Sequence, residues 1–487
     1  MLFNSYIFIF LFLPLCLAGW FGLNHFRKYT LAQLFLLGMS LWFYGYFNPS
    51  YLVIIIVSIV SNFLITRILS RTTSTALRKA EVVLAVVWNL GVLFYYKYFD
   101  FFIENINLLA HTDYALRHIL LPLGISFFTF QQLSYVLDAY HQEVPRYTFL
   151  QYASYVAYFP QLIAGPIVTH DELIPQFMDP SKRRFDWDSF SKGLYMFILG
   201  LSKKVLIADT FGNAANWGFG NIGSLDTLNA IFVSLAYTIQ IYFDFSGYSD
   251  MAIGLGKMMN FDLPVNFDSP YKACTVTEFW QRWHMTLTRF FTKYIYIPLG
   301  GNRRGTARTY CNILLVFLIS GLWHGASWAF VLWGLLHGIL NVVSRHFHSW
   351  FEKLPRALSW IMTFVFLDLT WILFRCENIP DALHFFRQLG TWRFGPICAE
   401  LSSAFLLPEF EFVFSHIPFL RVFSLHPELF LLVLFGCAMA LLLIPQNARW
   451  HMEQFHPTGW NLLGSIILII WCIMSFSGVS TFLYFNF

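Results

Sequence analysis

Charge is scarce in this sequence. Asp, Glu, Lys and Arg make up 12% of its residues, about half of the roughly 25% found in an average soluble domain. So few charges do not cover a water-facing surface, which excludes a wholly soluble fold. The net charge is also small, +4 over 487 residues, and no basic domain of the kind that binds nucleic acid stands out. Paired cysteines are missing. Cys16, Cys274, Cys311, Cys376, Cys398, Cys437 and Cys472 are scattered, mostly through apolar segments, with no Cys-x-x-Cys pair. Metal and redox chemistry therefore have no motif here, and the thiols read as packing residues. The sequence contains no Gly-x-x-x-x-Gly-Lys loop, Gly-x-Ser-x-Gly elbow or His-Glu-x-x-His pair, which removes common soluble routes to phosphate, serine and zinc chemistry. No Lys or Arg precedes the first apolar run and no small-residue cleavage site follows it, so that run is expected to be a retained helix. Any chemistry is expected inside the membrane.

Apolar sequence is abundant: 57% of residues are hydrophobic. Runs such as IFIFLFLPLCLAGW at 7–20 and YLVIIIVSIVSNFLI at 51–65 recur from end to end, each close to the roughly 20 residues that cross a bilayer core. The pattern predicts an all-α, polytopic transmembrane bundle of roughly eleven to thirteen spans, with interfacial or re-entrant helices, forming one membrane domain over 1–487. The 56 Phe suit lipid contact, and the 17 Trp suit interfacial anchoring. Arg27 and Lys28 follow the first run, the turn Asn48-Pro49-Ser50 is uncharged, and Arg67, Arg71, Arg78 and Lys79 come next. The positive-inside rule then places the amino terminus outside and the basic loops in the cytoplasm.

Polar islands interrupt the pattern. Residues 178–193, with Lys182, Arg183 and Arg184, read as a loop entering an interfacial segment. Residues 271–308 carry Lys272, Arg282, Arg289, Lys293, Arg303, Arg304 and Arg308, a second island on the cytoplasmic side. Residues 392–427 hold several prolines and few charges, and are assigned to neither side.

An ionisable residue at the bilayer centre costs about 2.5–3.5 kcal/mol on insertion scales, so it normally faces a cavity or a partner. Three segments carry such residues. IYFDFSGYSDMAIGLG at 241–256 holds Asp244 and Asp250 among serines and glycines. This reads first as a helix packed by small residues with the aspartates bonded to neighbours, and second as the lining of a pathway. TEFWQRWHMTLTRFF at 277–291 has helical periodicity, with His284 inside the helix and Glu278 and Arg282 spaced to pair. SGLWHGASWAFVLWGLLHG at 320–338 places His324 between Gly321 and Gly325, which would let a helix or a substrate approach the imidazole. Imidazole titrates near neutrality, so it can take a proton from an attacking alcohol and return it to the leaving group. On these grounds alone His284 reads first as a hydrogen-bonded structural residue, whose standing improves if a second histidine converges on it, and His324 reads first as a base, with a structural hydrogen-bonded role as its alternative. His337 is expected at the interface.

FWQRWH at 279–284, YIPLGGNRRG at 296–305 and GLWHGASW at 321–328 together resemble the membrane-bound O-acyltransferase family, in its bacterial alginate O-acetylation branch. The supporting strings are LFNSYIFIFLFLPL at the amino end, PLGISFFTFQQLSYVLDAY at 122–140, FPQLIAGPIV at 159–168, YFDFSGYSDMAIGLG at 242–256, WILFR at 371–375 and the closing FLYFNF. The resemblance implies a helical bundle with a funnel and a narrow tunnel, donor on the cytoplasmic side and acceptor on the other. It carries the catalytic base onto His324 and the second family histidine onto His284. It also implies a multi-pass protein of the bacterial inner membrane and extracytoplasmic acetylation proteins as partners. Two positions depart from the branch. Thr292-Lys293 stand where Arg-Asp usually precedes the tyrosine, a charge reversal for any ion pair there, and Thr169-His170 follow AGPIV where Arg is common.

The expected function is acetyl transfer from a cytoplasmic donor such as acetyl-CoA, a co-substrate and not a resident cofactor, to hydroxyls of an extracytoplasmic alginate-type polysaccharide or to a partner acetyltransferase. Peptidoglycan or teichoic acid is the alternative acceptor. A transporter using Asp244, Asp250 and His324, and a structural scaffold for polymer secretion, are rivals of other classes.

Overall fold

The computed structural model describes residues 1–444, 446–478 and 482–483, and among these the regular structure is entirely helical. The last residues of the FLYFNF string, 484–487, lie outside the described residues. Within lipid every backbone N–H and C=O has to be satisfied inside the protein, which a helix does by itself.

The first half is an up-and-down series. It comprises α1 (Phe8–His25), α2 (Tyr29–Gly45), α3 (Ser50–Leu69) and α4 (Thr75–Ala110). The shorter helices α5 (Ile125–Tyr140), α6 (Phe149–Ala157) and α7 (His170–Met178) follow. The centre consists of α8 (Trp187–Ser202), α9 (Asp209–Gly220) and the long, mostly buried α10 (Thr227–Met258). Two helices of about two turns each, α11 (Val276–Arg282) and α12 (Met285–Phe291), lead to the hairpin α13 (Thr306–His324) and α14 (Trp328–His346). Then come α15 (Arg356–Arg375), α16 (Ile379–Leu389), α17 (Pro427–Leu443) and α18 (Gly459–Met474).

Seven of these helices are long and apolar enough to cross a membrane: α1, α3, α4, α10, α13, α14 and α15. An eighth arises if 418–443, bent by 101°, counts as one span. The sequence expectation of eleven to thirteen spans is larger than this number of long straight helices, because further apolar runs form shorter or broken helices. The run around 149–168 breaks at Tyr158 and again after Leu162, and α8 passes into α9 through a π-helical stretch, Lys203–Ala208. Most of 392–427 folds as short helices, Ala399–Ser403, Pro408–His416 and Arg421–Leu425, none long enough to span.

The α8–α10 contact explains the small residues of 241–256. A Cβ on Gly193 would lie 2.7 Å from the Gly254 carbonyl, and one on Gly200 would lie 2.6 Å from the Gly247 carbonyl. Two glycines, seven residues apart on each helix, let the backbones touch. The charges on this contact are paired. Lys203 meets Asp250 at 2.6 Å, and the buried Lys204 meets both Asp209 and Asp244 at 2.7 Å. This matches the first reading of the aspartates, as groups bonded to neighbours. It also takes away the free carboxylates on which a proton-transport reading would depend.

Candidate active site

His324 is the last residue of α13, and Gly325 continues in extended conformation, φ −162°. Its ring is 2% exposed and sits among Trp323, Trp333 and Phe374, with centroids at 4.9, 5.2 and 5.2 Å. The glycines beside it serve the hairpin. A Cβ on Gly321 would be 2.4 Å from the Phe330 carbonyl, and one on Gly325 would be 2.1 Å from the Phe330 ring. The close approach expected at His324 is therefore that of α14.

A second helix grips the same spot. Within α4, Phe94–Tyr98 forms a π-helical turn, a local widening often found at functional sites. It carries Lys97, whose Nζ donates to the carbonyls of Trp323 at 2.6 Å and His324 at 3.1 Å, and to Ser126 Oγ at 3.4 Å. Tyr98 donates to the Leu322 carbonyl at 2.8 Å. The carbonyls at the end of α13 have no partner within their own helix, and a cation there is favoured by the helix dipole. Lys97 thus caps the helix that bears His324. No carboxylate pairs with it among the described residues; its partners are two carbonyls and a hydroxyl. Reading the sequence for histidines and aspartates missed it, although it is the single cation between Lys79 and Arg117.

His284 does not sit inside a continuous helix as the periodicity predicts. Helices α11 and α12 are separated at Trp283–His284, and His284 takes the left-handed conformation, φ 44°, ψ 51°. This is uncommon for a side chain other than glycine, although His tolerates it better than most. The break is held by Asn266. Its carbonyl accepts from Met285 N at 3.0 Å, and its Oδ1 accepts from Thr286 N at 3.3 Å and Thr286 Oγ1 at 2.9 Å. That same Oδ1 lies 3.1 Å from His284 Nδ1. An oxygen already accepting a backbone N–H assigns the proton to Nδ1, so Nε2 carries the lone pair. Nε2 is fully buried with no protein partner among the described residues. His284 and His324 flank one indole, with centroids 6.0 and 4.9 Å from Trp323. The break also ties in the AGPIV segment, since Ile167 N donates to Thr286 Oγ1 at 3.0 Å.

His337 is a correction. Expected at the interface, it is fully buried. It accepts from Trp280 Nε1 at 3.2 Å and meets Thr370 Oγ1 at 3.0 Å through Nε2. Both nitrogens are used in joining α11, α14 and α15, which is a structural role. The expected Glu278–Arg282 pair forms at 3.0 Å.

The two departures from the branch pattern meet at one carboxylate. Asp138, near the end of α5, lies 2.8 Å from Lys293, 3.4 Å from His170 and 2.9 Å from the Tyr294 hydroxyl. Burial alone would raise its pKa, but the hydrogen bonds from His170, Lys293 and Tyr294 outweigh that and hold it below the ordinary carboxylate value. The Lys293 ammonium is correspondingly raised. Instead of losing an ion pair, the reversed charge makes one.

One cavity borders His324 and a second adjoins it through Lys97 and Leu121. A constriction of about 20 Å³, room for about one water molecule, is bounded by Lys97, Gly124, Ser126, Phe127, Ile163 and His324. Lys97 and Leu121 also border a vestibule of about 590 Å³ that reaches Ser327, Arg375 and Glu377. The residues drawn together here come from five separate sequence strings, including PLGISFF, FPQLIAGPIV and GLWHGASW.

The chain is thus a polytopic helical membrane protein whose buried His324 borders a one-water constriction between helices. The chain belongs to the membrane-bound O-acyltransferase family, whose model matches residues 63–379, and it is an O-acyltransferase. It is 38% identical to a peptidoglycan O-acetyltransferase of Helicobacter pylori over 100% of this chain and 98% of that one. It is 39% identical to the probable alginate O-acetylase AlgI of Pseudomonas aeruginosa over 81% of this chain and 76% of that one. A teichoic acid D-alanyltransferase of Streptococcus thermophilus is more distant, 26% identical over 47% of this chain and 58% of that one.

Proposed function

We propose that this protein moves an acetyl group from a cytoplasmic donor, acetyl-CoA, to hydroxyls of an extracytoplasmic polysaccharide, directly or through a partner acetyltransferase, in a bacterial inner membrane. The observation that carries this reading is the position of His324 at the constriction adjoining the vestibule. The face bearing Arg67, Arg71 and Arg78 is cytoplasmic by the positive-inside rule, and the vestibule near Arg375 and Glu377 then opens on the other side.

In the transfer, the acceptor oxygen attacks the acetyl carbonyl carbon. His324 accepts the hydroxyl proton as the new C–O bond forms and returns it to the leaving sulfur as the thioester C–S bond breaks. Charge develops on the carbonyl oxygen, and a hydrogen-bond donor placed beside it lowers the barrier; Lys97, which borders the constriction and holds the His324 backbone, is the donor at hand. His284, with Nδ1 occupied by Asn266, offers Nε2 as an acceptor that orients an incoming group. Among candidate polymers, peptidoglycan is favoured by the relative matched over its whole length, and an alginate-type polymer is the second reading, supported by the probable alginate O-acetylase of Pseudomonas aeruginosa.

The test is O-acetyl content of peptidoglycan and of secreted polysaccharide in cells carrying wild-type protein, His324→Ala or His284→Ala at equal membrane abundance. Loss of acetyl from one polymer in His324→Ala identifies the acceptor and supports the base. Full retention in both removes His324 from the mechanism.

A further inference from the structure

Away from the histidines, a cavity of about 800 Å³ opens where the end of α3, the start of α4 and the end of α5 meet the loop 141–147. Arg67, Arg71, Arg78 and Arg146 line it together with His141, and no Asp or Glu does. Four guanidiniums around one chamber repel each other unless an anion joins them.

The surroundings keep local acids away and hold two of the arginines in place. Glu143, within the loop, pairs with Lys293 at 3.2 Å, and Glu81 accepts from Thr72 Oγ1 at 2.7 Å. Arg67 donates one Nη2 bond to the Tyr147 carbonyl at 2.6 Å and lies over Phe63. Arg78 donates one to the Tyr140 carbonyl and lies over its ring. A guanidinium carries five N–H donors, so each anchored arginine keeps most of its fork for a ligand. Arg71 and Arg146 are exposed and have no acidic partner among the described residues. Hydroxyls of Thr73 and Thr75 add further donors to the wall.

We propose that this chamber binds a phosphate-bearing anion, gripped by the arginine forks. Phosphate is the match because its several oxygens accept bidentate bonds from more than one guanidinium, which a single carboxylate does less well. The chamber lies at the end of two membrane helices, at headgroup level. The phosphate can therefore come from an anionic phospholipid or from a soluble phosphate ester, and the same arginines would serve either. This site is independent of the acetyl-transfer reading.

The experiment uses the full-length protein in neutral phosphatidylcholine nanodiscs, with two probes: phosphatidylglycerol, scored by native mass spectrometry, and inorganic pyrophosphate, scored by equilibrium binding. The comparison protein is the double variant Arg71→Gln/Arg146→Gln. It leaves the Arg67 and Arg78 anchors in place, and its thermal midpoint is measured alongside. Each single variant makes the same comparison if the double variant does not reach the membrane. The expected result is binding of at least one probe that weakens about tenfold or more in the variant, as loss of charge-assisted bonds requires. Retention of phosphatidylglycerol alone assigns the site to lipid, and pyrophosphate binding that displaces it assigns a shared phosphate site. Pyrophosphate binding alone assigns a soluble ester. Equal retention of both probes by wild type and variant, or binding of neither, overturns the proposal.

Discussion

Replacing Lys97 with Met keeps the length and apolar stem of the side chain and removes its charge. The loss is read from the bonds: two donations to the carbonyls of Trp323 and His324, at 2.6 and 3.1 Å. Hydrogen bonds involving a charged group contribute about 1.5–3 kcal/mol each. The change also leaves the end of α13 without its cap. If about 2.7 kcal/mol of that is expressed in the transition state, the rate of acetyl transfer falls about 100-fold. A displacement of the base by about 1 Å would have an effect of the same size. The assay is initial-rate transfer from radiolabelled acetyl-CoA by protein in nanodiscs, with kcat and KM separated. Lys97 holds the base and not the donor, so kcat should fall with donor KM little changed. Lys97→Arg, which retains a cation and several donors, should recover part of the rate. A Lys97→Met enzyme within about threefold of wild type in kcat, a difference of under 1 kcal/mol, would refute the role given to this residue. A variant with normal kcat and a lowered thermal midpoint would reduce it to a helix cap.

Three further outcomes follow from the geometry. Asn266→Ala frees His284 Nδ1 and both Thr286 donors, so transfer should drop at least about tenfold, roughly the worth of one well-made hydrogen bond; unchanged rates would mean that the His284 tautomer is immaterial. Lys204→Met removes the cation shared by Asp209 and Asp244, and removing one partner of a buried pair costs about 3–5 kcal/mol; a thermal midpoint equal to wild type in detergent would contradict the buried pairing. Asp138 has its pKa held below the unfolded value, so its cluster contributes stability fully above the ordinary carboxylate value near 4, and that stability is lost as pH falls through the lower folded value. Asp138→Asn should therefore be less stable at neutral pH and show a shallower acid loss of the thermal midpoint, and parallel curves for the two proteins would dismiss the cluster as a pH-dependent contributor.

Membrane embedding, helical class and family were legible along the chain because each is carried by local composition or by short strings. A bilayer requires each segment to satisfy its own backbone, so apolar length translates into helix directly. His324 and His284 could be picked out because a buried imidazole is rare and sits within recognisable strings. Span number was less legible. Apolar composition does not report whether a run stays straight, and 418–443 turns through 101° at His426.

What only the tertiary structure decided is how distant residues complete the site. The hydrogen bond from Lys97 to the His324 carbonyl joins residues 227 apart, and no periodicity within α4 announces it. The left-handed turn at His284 depends on Asn266, 18 residues earlier, whose side chain wins over the helical tendency of 277–291. His337 looked interfacial from its place near a helix end, yet packing of α14 against α11 and α15 buries it. Lys293 and His170 looked like lost contacts until the fold brought both to Asp138. Local sequence determines which segments enter the membrane, because lipid acts on each segment separately. Partner choice for the few buried polar groups is set by packing across the bundle, because a desolvated donor or acceptor must find its complement wherever the fold supplies one.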